Sequence, residues 1–353
     1  MGRPAWMIYG ANGYTGRWIT REAIARGMHP ILAGRNRRAV EALAAELDCP
    51  ARAFRLTTTE GIAEHLMALS AVLHCAGPFS TTGEPMMDAC LAAGTHYLDI
   101  TGEIDVIEAA AARHDRATRA RISLIPAVGF DVVPSDCLAA MLARRMPDAT
   151  SLQLAFTGLT RVSRGTARTV LEGLPRGGRV RIDGQVTTVP VAWKSMEIPF
   201  RGGPRAAMTV PWGDVSSAWH TTGIPNIEVY MAVPGRLIER VRGMRWALRL
   251  LGFWPVKAFL RHVVLRRPGG PSPEASQADR ASFWGRVSNR QGDAVEATLE
   301  TPGGYRLTVA TALASLGRVL DRDTYPGFYT PATAFGADFI LDLPEVEFAW
   351  KNE

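Results

Sequence analysis

The amino-acid sequence predicts an α/β protein, with an N-terminal doubly wound parallel sheet of the Rossmann type and a second α+β domain of mixed or antiparallel sheet. Three observations predict this. Short apolar runs alternate with amphipathic stretches up to about residue 150, a glycine-rich turn follows the first run, and beyond Val133-Pro134-Ser135 the chain turns to Gly, Pro and alternating residues. The expected division is 1–135 for the first domain and 136–324 for the second, with 325–353 returning to the first.

Taken in order, strands are expected at Trp6–Tyr9, Pro30–Ala33, Ala51–Arg55, Ala71–His74, Tyr97–Ile100 and Ser123–Pro126. Apolar side chains occupy both faces of these runs, as in a parallel sheet covered on both sides. Helices are expected between them at Thr15–Arg26, Arg38–Leu47, Gly61–Leu66, Glu84–Ala93 and Glu103–Ala120. Ser135 or Asp136 is placed to cap a helix running to Arg145. Further on, Gln185–Val191 and Ile227–Val233 read as strands, and Glu296–Leu316 alternates around a Pro302-Gly303-Gly304 turn. Phe335–Ile340 reads as a helix returning to the first domain. Leu237–Leu265 reads as an apolar helix interrupted by Arg240, Arg242, Arg245, Arg249, Lys257 and Arg261, charges that rule out a simple membrane span. A core-packed helix with a basic solvent face is favoured there over one lying on a membrane surface or against a greasy substrate.

The composition is that of a globular chain long enough for about two domains: 353 residues, 47% hydrophobic and 21% charged. The net charge of +6 is carried almost wholly by arginine, since lysine occurs only at Lys194, Lys257 and Lys351. No basic run is interleaved with aromatics, so a nucleic-acid partner is not expected. Cys49, Cys75, Cys90 and Cys137 form no CxxC and show no metal-ligand spacing, which fits reduced thiols in a cytoplasmic protein and no metal site. The first apolar run leads straight into glycines without the pattern of a signal peptide.

The segment Gly10-Ala11-Asn12-Gly13-Tyr14-Thr15-Gly16 sits between the first strand and the first helix. Gly10 permits a tight turn, Gly13 lets a pyrophosphate approach the backbone, and Gly16 lets helix and sheet pack closely. The helix N-terminus adds unpaired N–H groups and a positive dipole end. The second strand ends in Ala33-Gly34-Arg35-Asn36-Arg37-Arg38, without the carboxylate that would hold the ribose hydroxyls of NAD. Arg35, assisted by Asn36 or Arg37, is placed to clamp a 2′-phosphate, so NADP is the expected cofactor.

The fourth strand ends in His74-Cys75-Ala76-Gly77-Pro78-Phe79, where the small residues Cys75, Ala76 and Gly77 leave room for nicotinamide and Pro78 and Phe79 shape the next loop. The fifth ends in Tyr97-Leu98-Asp99-Ile100-Thr101-Gly102-Glu103, and the sixth leads to Gly129-Phe130-Asp131. Tyr97, Asp99 and Asp131 are the candidate catalytic residues. Asp99, Glu103 and Asp131 equally suit capping or turn formation. His74 and His96 are expected to be packed or hydrogen-bonded, and Cys75 to fill space. There is no YxxxK pair, no GxxxxGK[ST], no GxSxG and no HExxH.

At these residues the chain resembles the saccharopine dehydrogenase-like oxidoreductases. The matching pieces are Gly10–Gly16, Ala33-Gly34-Arg35, Cys75–Phe79, Cys90 with Gly94–Asp99, Thr101-Gly102-Glu103, and Gly129-Phe130-Asp131 with Pro134-Ser135-Asp136. Gly165-Thr166-Ala167, Thr330-Pro331-Ala332 and Phe335-Gly336 extend the likeness along the chain. Within the family it is most similar to the branch containing the trans-acting enoyl reductases. The resemblance implies a Rossmann domain, a second α/β domain and NADPH as hydride donor, and does not carry over a substrate. The leading reading is reduction of an enoyl or carbonyl group in a small-molecule, apolar substrate of acyl, polyketide or lipid type. A homodimer, and contact with a membrane surface or an acyl carrier, are compatible with it. Two alternatives stand beside this reading. One is an amino-acid imine oxidoreductase, with Arg161, Arg164 and Arg168 as a carboxylate clamp. The other is an NADP-sensing or lipid-surface protein without turnover.

Overall fold

The computed structural model describes residues 4–158, 177–245 and 279–351. The chain divides into two compact units, Met1–Val133 with Leu307–Gly336, and Pro134–Arg306 with Ala337–Glu353.

The first unit is built on a seven-stranded sheet. In chain order it holds β1 (Trp6–Tyr9), α1 (Tyr14–Ala25), β2 (Ile31–Gly34), α2 (Arg37–Glu46), β3 (Ala51–Ala53), α3 (Thr59–Leu66), β4 (Ala71–His74) and α4 (Phe79–Ala93). Then come β5 (His96–Asp99), α5 (Ile104–Ala111), α6 (His114–Ala120) and β6 (Ser123–Ile125). A two-residue strand at Gly327–Phe328 completes the edge, giving the order Gly327–Phe328, β6, β5, β4, β1, β2, β3 with every pairing parallel. The order reverses between β1 and β4, which is where such sheets open a ligand crevice.

Alternation along the strands separates two apolar layers. Met7, Tyr9, Val72, Tyr97 and Leu124 enter one cluster with residues of α3 to α6. Trp6, Ile8, Leu73, Leu98 and Ile125 enter the other with residues of α1 and α2. That second layer is completed by Val309, Leu313 and Leu316, which come from far along the chain.

Several expectations are corrected here. Asp136 does not cap the helix after β6, because α7 (Val133–Arg145) already begins at Val133. Its carboxylate is fully buried and accepts a hydrogen bond from Thr221 Oγ1 at 2.6 Å. The single helix expected over Glu103–Ala120 is two, α5 and α6. The α4 helix starts at Phe79 and not at Glu84, with Pro85 inside it.

The second unit carries a nine-stranded mixed sheet. Its strands are β7 (Ser151–Phe156), β8 (Gly178–Ile182), β9 (Gln185–Val189), β10 (Ser195–Phe200) and β11 (Gly203–Thr209). After α8 (Asp214–Thr222) come β12 (Asn226–Ala232), α9 (Gly235–Gly243), β13 (Arg280–Ser288) and β14 (Ala294–Pro302). The path runs β10, β11, β12, β7, β13, β14 and then Glu347–Trp350, with β8 on β12 and β9 on β8. Only the β12–β7 pairing is parallel among these. The α7 helix lies on β13, where a Cβ at Gly285 would come 2.6 Å from Leu142 Cδ1 and 3.1 Å from Leu138 Cδ2.

The end of the chain also departs from expectation. The strand at Glu296 stops at Pro302, and α10 (Gly304–Leu320) follows. Its threonines caused the misreading: Thr311 Oγ1 donates back to Leu307 O at 2.9 Å inside the helix. The return to the first unit begins at Leu307 and ends at Gly336, so 337–351 does not belong to it. It carries β15 (Gly327–Phe328) and α11 (Pro331–Phe335), and the expected helix over Phe335–Ile340 is interrupted at Gly336. The final strand, β16 (Glu347–Trp350), pairs with β14 in the second sheet.

Replacing Gly285 with valine is expected to force Leu138 and Leu142 off their rotamers and to cost about 1–3 kcal/mol. Equilibrium urea unfolding of the variant against the natural chain measures this, and an unchanged midpoint would count against the α7 packing described.

Candidate functional site

The turn between β1 and α1 is held by hydrogen bonds that only a glycine-rich segment accommodates. Gly10 N and Ala11 N both donate to Ala33 O, at 2.7 and 3.1 Å, tying the turn to the end of β2. Gly10 has φ +88°, and a Cβ there would meet Ala76 N at 2.8 Å, so β4 closes against it. A Cβ on Gly16 would stand 2.2 Å from Gly10 O, so the first turn of α1 packs directly on the turn. A Cβ on Gly13 would meet only Gly10 O, at 3.1 Å. Its other side is open, and this is the cradle a side chain would fill. No side chain caps α1 at Gly13, and its first turn holds no acid. Asn12 is fixed beside Gly34, where a Cβ would meet its Oδ1 at 2.9 Å, and Arg17 Nε holds the Asn12 carbonyl at 3.2 Å. Tyr14 lies against Trp18, ring centroids 6.0 Å apart, and Thr15 is partly exposed in the first helical turn. An uncapped helix N-terminus behind a side-chain-free loop fits a pyrophosphate.

At the end of β2 the arginines divide. Asn36 caps α2 by accepting from Ala39 N at 3.2 Å, and Arg37 leans along the helix to Glu41 at 3.3 Å. The assistance expected of those two residues is therefore taken up within α2. Arg35 is exposed; burial pushes the Tyr9 phenol up to about 12, and the nearby charge of Arg35 opposes that rise. Neither Arg35 nor Arg38 has a hydrogen bond or ion pair within the described residues. Arg38, the last arginine of the run, stands in the first turn of α2, where a cation is disfavoured.

At the end of β4 the expected cofactor wall splits between lining and core. Cys75 and Ala76 are partly exposed and Gly77 is exposed, whereas Pro78 and Phe79 are buried. Phe79 packs edge-on against His74, centroids 5.3 Å apart, and its N–H donates to Glu103 Oε1 at 2.8 Å. Ser80 N donates to Glu103 Oε2 at 2.9 Å. Glu103 therefore caps the N-terminus of α4 and makes no side-chain cap for α5, which follows it. Burial, then the charge of Asp99, pushes the Cys75 thiol up, which leaves it a space-filler.

His74 is fully buried and its Nε2 lies 3.0 Å from Thr82 Oγ1. That hydroxyl has carbonyl acceptors in Ala76 and Pro78, so the proton between His74 and Thr82 is assigned to Nε2. His74 Nδ1 is left without a partner among the rings of Tyr9, Phe79 and Tyr97. Burial drives its pKa down to about 3. His96 accepts from Ser123 N through Nδ1 at 2.9 Å.

The three candidate catalytic residues have different surroundings. Tyr97 and Asp99 are both fully buried and bonded to each other, with the Tyr97 hydroxyl donating to Asp99 Oδ2 at 2.6 Å. Asp99 Oδ1 accepts from Thr101 N at 2.9 Å and Ala127 N at 2.8 Å, and its carbonyl accepts from Val128 N at 2.7 Å. This carboxylate ties the end of β5 to the end of β6. Burial raises its pKa to about 6 against those hydrogen bonds. Asp131 is partly exposed and presses on the next loop, where a Cβ at Gly102 would meet its Oδ2 at 2.7 Å. Desolvation, then the charge of Glu103, pushes its pKa up to about 7. Thr308 Oγ1 fixes the neighbouring backbone by accepting from Phe130 N at 3.1 Å. Of the three, only Asp131 keeps any exposed surface.

Residues 6–125 match the family model of the saccharopine dehydrogenase NADP binding domain. The likeness to that family is carried by the first domain of this chain. Its glycine cradle and the two unpaired arginines at the head of α2 fit the NADP that the family binds. A saccharopine dehydrogenase-like oxidoreductase of Arabidopsis thaliana is 33% identical over 147 residues, 37% of this chain and 32% of that protein. A Mycobacterium tuberculosis protein that carries the name trans-acting enoyl reductase is 34% identical over 145 residues, 37% of this chain and 33% of that protein. The match thus spans about a third of each relative's length. The saccharopine dehydrogenase (L-Glu forming) of Saccharomyces cerevisiae shares the fold end to end, with a TM-score of 0.65 at 11% identity over 99% of this chain and 100% of that one. Arg161, Arg164, Arg168, the Gly165-Thr166-Ala167 motif and the Leu237–Leu265 segment beyond Arg245 lie outside the described residues. Among the described residues no cluster of metal-ligating side chains occurs, and no helix is long and apolar enough to cross a membrane.

His74 gives the saccharopine-type domain an acid limit. With a folded pKa of about 3 against an ordinary 6.5, the unfolded chain binds the proton first. The stability this site contributes is therefore complete above pH 6.5 and drains as pH falls toward 3, by about 2 kcal/mol at pH 5. Urea unfolding at pH 7.5 and pH 5 is expected to show this loss in the natural chain and a smaller one in His74→Asn. Parallel losses in both would remove His74 as the cause.

Proposed function

We propose that the chain is an NADPH-dependent reductase that reduces a carbonyl-activated double bond in an apolar, acyl- or polyketide-like substrate. The observation that carries this reading is Asp131, a desolvated carboxyl on a residue of intermediate burial in the turn between β6 and α7, which stays protonated up to about neutral pH. Reduction of an enoyl group requires a hydride at the β carbon and a proton at the α carbon. The bound dinucleotide supplies the hydride. Asp131 would supply the proton, and the glycine at 102 is what lets its carboxyl lie against that loop. Gly10, Gly13 and Gly16 with the N-terminus of α1 would hold the pyrophosphate, and Arg35 with Arg38 the 2′-phosphate. Ala76 and Gly77 leave space beside the nicotinamide. Tyr97 and Asp99 hold the strand ends in register, so theirs is a positioning role. The name of the mycobacterial relative supports an enoyl substrate. The four cysteines are free, which suits a reducing compartment, and we place the protein in the cytoplasm.

Titration with NADPH and NADH is the first test. The Arg35→Ala, Arg38→Ala double variant is expected to weaken NADPH by roughly 10–100-fold and to leave NADH unchanged, the scale of losing about 1.5–3 kcal/mol in charge-assisted hydrogen bonds. Equal affinity of the natural chain for both nucleotides would refute the 2′-phosphate site.

The second test is NADPH oxidation with 2-enoyl thioesters of increasing chain length. Asp131→Asn is expected to lower kcat by about 10²–10⁴-fold. Because the acid must carry its proton, kcat of the natural enzyme should fall as pH rises through about 7. Oxidation driven by imines of a 2-oxo acid and not by enoyl thioesters would replace the substrate class and leave the cofactor site standing.

A further inference from the structure

The α9 helix has two faces of different character. Ile238 is 5% exposed and packs with Ala192 and Met208, with Val241 beside it. Two arginines reinforce this inner side. Arg242 Nε donates to Ala192 O at 3.1 Å, and Arg245 donates to Val191 O at 2.8 Å and Ala192 O at 2.7 Å. Three guanidinium contacts to the β9–β10 connection fix the rotation of the helix, so its opposite face is held outward.

That outer face carries Arg236, Leu237, Arg240 and Met244, which helical spacing brings to one side. Leu237 is 43% and Met244 56% exposed, two of only a few large apolar side chains at the surface among the described residues. Arg236 and Arg240 are exposed and make no ion pair within the described residues. Other arginines, such as Arg144, Arg201 and Arg306, face a carboxylate, whereas these two, like Arg35 and Arg38, do not. The bias continues in the sequence, where no aspartate or glutamate occurs between Glu239 and Glu274. Apolar side chains between unpaired cations, on a helix whose other face is anchored, are complementary to one kind of surface: apolar within and negatively charged at its rim.

We propose that the outer face of α9 docks the protein on an anionic lipid surface, with Leu237 and Met244 entering the interface and Arg236 and Arg240 among the headgroup phosphates. The helix is short and the insertion shallow, so the contact is reversible and depends on both components. Docking of this kind would bring the reductase to substrates that partition into membranes. The inference rests on α9 alone and stands independently of the reaction proposed above.

Co-flotation of the full chain with vesicles tests it. The expected result at physiological salt is flotation with phosphatidylcholine vesicles containing about 30% phosphatidylglycerol, and none with phosphatidylcholine alone. Arg236→Ala with Arg240→Ala is expected to weaken partitioning on the order of 25-fold, about fivefold for each arginine. Leu237→Asp with Met244→Asp is expected to abolish it. NADPH affinity, read in the same preparations, reports that each variant is folded and should not change. Equal flotation with neutral vesicles would overturn the proposal, as would binding that survives the two aspartates, since overall positive charge would then suffice. So would retention on an acidic acyl carrier protein without flotation, which would make that protein the occupant of the face.

Discussion

Ala33 O accepts two backbone N–H groups, from Gly10 and Ala11, and this bifurcated contact governs the nucleotide end of the molecule. It draws the chain out of β1 and across the end of β2, and so demands the positive φ of Gly10. Once the turn is there, β4 must close against it through Ala76, and α1 must start on top of it through Gly16. Three strand ends and one helix end meet within van der Waals contact, with no room for a side chain on the turn. The open side of Gly13 is what remains. A phosphate cradle here is therefore the residue of a packing problem solved with backbone, and its geometry is as rigid as the sheet beneath it.

Farther along the same edge, carboxylates replace glycine as the organising element. Asp99 gathers Tyr97, Thr101 and Ala127, and Glu103 gathers Phe79 and Ser80. Both acids are committed to donors inside the protein, and their charge is felt nearby. Desolvation first, and then the charge of Glu103, raises the pKa of Asp131. An acid holding its proton near neutrality thus arises mainly from burial, with a structural carboxylate adding to it. Separating two carboxyl groups by environment is a general way to assign one of them to proton transfer.

The alternating half of the fold and the phosphate loop were legible because their signals are local. The ends of β1 and β4 coincide with the apolar runs of the sequence, and the glycine spacing names its own roles. What was not legible depends on partners far away in the chain. Glu103 looked like the start of its own helix and instead caps α4, more than twenty residues earlier. Asp136 looked like a cap and is buried against Thr221. Leu307–Leu320 alternated like a strand because threonines, which favour strands locally, satisfy their hydroxyls within a buried helix. Which arginines of the run Arg35 to Arg38 stay unpaired was not legible, because it depends on Arg37 being turned toward Glu41.

The helix that supplies Val309, Leu313 and Leu316 has a consequence for how the chain is made and how it can be cut. These side chains roof one face of a sheet whose other six long-range strands are complete by Ile125. A ribosome that has released the first half of the chain has therefore released a sheet with one apolar face covered by α1 and α2 but not yet closed, its cover completed only when almost the whole sequence has emerged. The nucleotide-binding unit is not a cassette that can be lifted out at Val133 and grafted elsewhere, because its last wall is encoded between the two segments of the second unit.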